Sequence, residues 1–197
     1  MILSFSSFVS FLKIGGKHVL KHSIYNYILF LILLAVVFSF KQWKKLLLLV
    51  TSLVLSYFSA IMLVAYGNFI PKIEIIKFLI PAIILSLAFF TFLSFKNILK
   101  SKEKYVLSFT ILFGFFNGLG SSVDVILNIK RYESEFFPIL EATLGVGASV
   151  LITVLGLLTV TTLLKKIPKF DKKKWVFVTS AVVSCLSVFF IFKQVFY

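Results

Sequence analysis

The side chains with chemical potential in this chain are few, and they lie in apolar surroundings. Glu141 is the sole ionisable group in the run of residues 136–164. Asn26, Tyr27, Tyr57, Asn117 and Thr143 add carboxamides, phenols and a hydroxyl, and His18 and His22 are the two imidazoles. Such a set could bind a cation, a proton or a small polar solute. It does not suit covalent catalysis, because no His-Glu-x-x-His helix and no Gly-x-Ser-x-Gly elbow occurs. The chain is therefore not read as an enzyme, and no cofactor is expected. Glu141 admits two readings. It is either a cation or proton site, or an interfacial carboxyl that meets outside water or is protonated where buried. His18 and His22 read first as interfacial polar residues.

The elements that carry these residues follow from hydropathy. The chain has 197 residues, 60% of them hydrophobic, with 25 Phe, and its mean hydropathy is +1.06. Six long runs lack charge, apart from Glu141: residues 22–40, 46–71, 78–95, 105–123, 136–164 and 175–192. A bilayer-crossing helix needs about 20 mostly apolar residues. The expected fold class is an all-α integral membrane protein, a bundle of six transmembrane helices forming one domain over 1–197. The crossings are expected near 23–40, 46–67, 75–95, 105–120, 136–164 and 175–193. Residues 1–16 are too short to cross and read as an N-terminal interfacial helix ended by Gly15-Gly16. A soluble domain, a disulfide-stapled scaffold and a disordered chain are excluded together. Cys185, the only cysteine, reads as a small buried hydrophobe.

Charge sets orientation. The formal net charge is +14, from 21 Lys and Arg against 7 Asp and Glu. The basic residues lie almost wholly between the apolar runs, which argues against a nucleic-acid face and for membrane anchoring. Loops 41–45, 96–104 and 165–174 carry most of them and are expected to be cytoplasmic. Both termini then lie on the extracytoplasmic side. Position within each crossing puts Asn26, Tyr27, Tyr57, Asn117, Glu141 and Thr143 in the outer half. A working cluster there would bring the Glu141 carboxyl within hydrogen-bond reach of Asn117, Tyr57 or Tyr27. In the inner half Ser94, Ser108 and Thr161 are hydroxyls able to bond their own backbone. Residues 121–135 read as a polar outer connection with a short amphipathic helix, and Pro81 as a kink in the third crossing. Gly114 and Gly118, like Gly145 and Ser149, are four apart, a spacing that lets backbones approach closely in lipid. The fourth and fifth crossings are expected to be the close pair.

At these residues the chain resembles the HupE/UreJ family of hydrogenase and urease accessory membrane proteins. The carrying stretches are His18 to Leu31, Thr51 to Phe58, Phe113-Gly114-Phe115-Phe116-Asn117-Gly118-Leu119-Gly120, and Glu141 to Val150 with Gly145 inside it. The resemblance implies a six-helix transporter of nickel or a related divalent metal, with His and carboxylate ligands, in a bacterial inner membrane. Against the family pattern, an Asp is replaced by Asn26, three His by Tyr27, Tyr57 and Asn117, a Glu by Gly147 and a Gln by Val150. His18 and Glu141 are the ligand types that remain. Imidazole suits first-row metals, and carboxamide or phenol replaces it poorly. The expected role is a structural or partner membrane subunit with a degenerate metal site, in contact with lipid and with a membrane-protein partner or a second copy of itself. The alternative is a transporter of a divalent metal, another cation or a small solute.

Cysteine labelling in a Cys185→Ser background tests the orientation. Gln42→Cys and Ser101→Cys should react only from the cytoplasm and Tyr132→Cys only from outside; the reverse pattern would overturn it.

Overall fold

The computed structural model describes residues 24–38, 40–67, 70–95, 102–129, 136–164 and 172–196. The expectations for residues 1–16 and for His18 and His22 lie outside the described residues. The regular structure among the described residues is helical: α1 (Ile24–Val37), a 3-10 turn (Phe40–Gln42), α2 (Trp43–Tyr66), α3 (Ile73–Phe95), α4 (Lys102–Ile129), α5 (Phe136–Leu164) and α6 (Lys172–Phe196). Helices α2 to α6 are long and apolar enough to cross a membrane. They carry large apolar side chains on their outer surfaces, such as Leu55, Phe89, Ile152 and Phe189. An exposed apolar surface of this extent fits lipid rather than water.

Helix α1 is described over 14 residues, Ile24–Val37, beginning where the described residues begin. It sits inside the bundle, with Phe30, Leu31, Leu33, Leu34 and Ala35 buried. The Phe38 N–H still donates to the Leu34 carbonyl at 3.0 Å before the 3-10 turn begins. Trp43 opens α2 as an exposed ring with the Lys44 ammonium over it.

Five helices close into a ring in the spatial order α1, α5, α2, α4, α3, while α6 lies outside against α3 and α1. The tightest pairing is α2 with α4, and these two run parallel: Lys45 pairs with Glu103 at one end and Tyr57 meets Ser121 towards the other. Here the sequence expectation needs correction, since α5 touches α4 only slightly. Gly114 and Gly118 face α2 instead. A Cβ at Gly114 would stand 2.5 Å from the Leu53 carbonyl oxygen, and one at Gly118 2.5 Å from that of Tyr57 and 2.8 Å from Ala60 Cβ. The glycines of α4 thus meet Ser56 and Ala60, the small residues of α2, so the complementary surface was on that helix. Gly120 packs towards Ile76 of α3, and Gly147 towards Val54 of α2. Gly145 is buried in α5, and Ser149 Oγ donates to its carbonyl.

Two further elements differ from expectation. Helix α4 runs on to Ile129, so Ser121 to Ile129 is helix rather than polar connection. Ser121 and Ser122 return their hydroxyls to carbonyls of the preceding turn, and no breaker follows until the helix ends. Cys185 is exposed, because the peripheral α6 turns that side away from the bundle. Helix α3 continues through Pro81, which has no N–H to offer the Lys77 carbonyl. Pro138 lies in the first turn of α5, where a missing N–H costs nothing. Ser108 and Thr161 do bond their own helices.

The glycine contact can be tested by unfolding in mixed micelles. Gly118→Val should cost about 2 kcal/mol or more, as overpacked cores do. Gly156, which has open space where a Cβ would go, should accept Ala with no loss.

Candidate functional site

Asn26 starts α1, Lys77 lies one turn into α3, Asn117, Ser121 and Asp124 follow one face of α4, and Gln194 ends α6. These six residues, with Ile73, Ile76, Ile80, Gly120 and Val123, line a cavity of about 310 Å³. The start of α1 and the end of α6 therefore share one face of the bundle. The floor is buried: Asn117 is 4% exposed and Ser121 1%. The rim is exposed at Lys77 and Asp124.

The floor is held by helix-local bonds. Asn117 Nδ2 donates to the Phe113 carbonyl at 2.9 Å. Ser121 Oγ lies 2.7 Å from the Asn117 carbonyl oxygen and 2.8 Å from the Tyr57 hydroxyl. That last contact ties α4 to α2 at the level of the cavity. By contrast, Asn26 Oδ1 is buried with no hydrogen-bond partner. An acceptor left this way loses its hydration without replacement, at a cost of about 1–3 kcal/mol.

Beneath the cavity the ring interior is filled by aromatic side chains. Phe113 of α4 stacks on Phe30 of α1, centroids 3.9 Å apart, and receives the edge of Tyr27 at 5.3 Å. Tyr27, Phe30, Tyr57 and Phe113 are all buried. The Tyr27 hydroxyl has no partner.

The residues singled out from sequence divide into two groups. Asn26 and Asn117 share the cavity, while Tyr27 and Tyr57 contact Phe113 and Ser121 respectively. Thr143 bonds the Ile139 carbonyl of its own helix. Glu141 is buried, and its Oε2 has no hydrogen-bond partner. The expected reach from Glu141 to Asn117, Tyr57 or Tyr27 is not realised as a hydrogen bond. Its helix packs on α1 and α2 and barely meets α4, and the Asn117 amide and Tyr57 hydroxyl are engaged elsewhere. Sequence reasoning missed Lys77, Ser121, Asp124 and Gln194. The signal for two of them was present: Asn117, Ser121 and Asp124 are spaced i, i+4, i+7, one helical face. Among the described residues no group of three or more His, Cys, Asp or Glu is placed to hold a metal ion.

A family model described as HupE / UreJ protein matches residues 3–194. No curated protein and no solved structure matches the chain.

The two buried phenols should respond differently to loss of their oxygen. Tyr57→Phe should lower unfolding free energy in micelles by about 1 kcal/mol, the net worth of a typical hydrogen bond. Tyr27→Phe removes an unpartnered hydroxyl and should leave stability unchanged or raised.

Proposed function

The chain belongs to the HupE/UreJ family, and we propose that it serves as a partner subunit in a bacterial inner membrane rather than as a nickel permease. The carrying observation is the packed interior at the positions where the family pattern has His. Tyr27 lies against Phe113, and Tyr57 is bonded to Ser121. Asn117 spends an amide hydrogen on its own helix. Side chains at these positions now serve packing and helix pairing, and phenol and carboxamide are weak donors for a first-row metal. Glu141 is then a carboxyl of the outer half whose Oε2 is enclosed by packing without a hydrogen-bond partner. In this reading the basic loops 41–45, 96–104 and 165–174 face the cytoplasm, as positive charge favours.

A second reading, transport of a cation or a small solute, has one observation in its favour. The cavity opens on the face shared by the start of α1 and the end of α6, and Asn26 and Asn117 line it.

Native mass spectrometry after gentle detergent extraction separates the two. A partner subunit should appear as a stoichiometric complex with a second membrane protein, without nickel, cobalt or zinc. A chain found alone, or one carrying a transition metal one-to-one, would overturn the subunit reading.

A further inference from the structure

We propose that the groove between the starts of α2 and α4 binds an anionic phospholipid, whose phosphate meets Lys104 and Lys45 and whose chain lies along Leu48 and Leu107. The inference rests on neither the subunit reading nor the solute reading, and it holds whichever side of the membrane this end of the bundle faces.

The groove lies at the end of the bundle opposite the cavity, and its volume is about 230 Å³. Phe38, just past the end of α1, Leu48 and Leu49 of α2, and Leu107 of α4 form an apolar wall, while Lys45, Glu103 and Lys104 form the polar side. Both helices begin here, so the groove sits where the membrane meets water. Trp43 and Tyr105 are exposed in the first turns of α2 and α4. Rings of this kind favour the level of the lipid headgroups, and they mark the groove as lying there.

Charge selects the headgroup. Lys45 is paired with Glu103, whereas Lys104 enters no ion pair among the described residues, so the groove keeps a positive excess. An ammonium has three N–H donors, and Lys45 retains capacity for a phosphate oxygen after meeting Glu103. Basic pockets between membrane helices hold anionic headgroups on this principle. A zwitterionic headgroup would bring its own cation beside Lys104 and lose the advantage. Shape selects the rest of the molecule. A free phosphate would use the two ammoniums and leave the leucine wall idle. That wall continues inward, because Leu55 lies seven residues beyond Leu48 and Ile111 four beyond Leu107, and both are exposed on the outside of the bundle. These spacings keep each residue on the same face of its helix, so an acyl chain anchored at the groove has an apolar track into the bilayer.

The test uses the purified full chain in detergent with phosphatidylglycerol, phosphatidylcholine of the same acyl chains, and inorganic phosphate. Native mass spectrometry reads binding, and thermal unfolding reads stabilisation. Phosphatidylglycerol should bind more tightly than phosphatidylcholine and raise the unfolding temperature with dose. Lys104→Met, at an exposed position, should fold normally and weaken phosphatidylglycerol binding roughly fivefold, the worth of one ammonium near an anionic surface. Lys193→Met removes the same charge from an exposed site at the opposite end of the bundle and should change nothing. Glu103→Gln removes the competing carboxylate and should tighten phosphatidylglycerol binding while leaving phosphatidylcholine unaffected. Equal binding of the two lipids, or equal losses in Lys104→Met and Lys193→Met, would overturn the site. Inorganic phosphate stabilising the chain as far as phosphatidylglycerol does would overturn the lipid in favour of a free anion.

Discussion

The close approach of two backbones, α2 and α4, is the constraint on which the remaining packing rests. Inside a bilayer an apolar side chain gains little by exchanging lipid for protein, so helices associate where their surfaces fit closely. At Gly114 and Gly118 the absent Cβ atoms leave space that the α2 backbone at Leu53 and Tyr57 occupies. No other residue type fits there without moving a carbonyl. With α2 and α4 joined, α5 lies along α2 and α3 along α4, and α1 closes the ring between α3 and α5. The position of Tyr57 against Ser121, and hence the floor of the cavity, follows from the same contact.

Helix α1 is held in the bundle differently from its neighbours. It reaches α4 through aromatic rings rather than through backbone proximity, with Phe113 held between Phe30 and Tyr27. Aromatic pairs in this arrangement contribute about 0.5–1.5 kcal/mol beyond the area they bury. The same rings stand close to the phenol and amide positions where the resemblance implies metal ligands. Filling a site with packed side chains and keeping it open for an ion are competing uses of one volume.

How much of this was legible in the sequence depends on the kind of signal. The long helices were legible because charge-free runs bounded by Lys leave few other solutions, and α2, α3, α5 and α6 lie close to the expected crossings. The partner of the small-residue face on α4 was not legible. Spacing shows that a face is small, but which helix offers a matching small face is a three-dimensional property. The end of α4 was misjudged because Ser, Asp and Asn favour turns in isolation, whereas here the serines bond back into the helix. Asn26 and Asn117 were found through their depth, and the cavity does unite them. Lys77 was counted as a boundary charge, so its place on the cavity wall went unread. Glu141 drew attention as the lone carboxyl of its run, yet depth along a crossing says nothing about rotation, and rotation decides which neighbours a side chain meets.

The parallel pair is fastened at one end by Lys45 with Glu103 and beyond its middle by Tyr57 with Ser121. Sliding one helix past the other by a turn, about 5.4 Å, would carry Gly118 off its notch and drive larger side chains into the Tyr57 backbone. The pair therefore acts as a stator. Any breathing of the cavity must be taken up by the wall opposite, where α3 lacks one backbone N–H at Pro81 and α6 leans on the ring from outside.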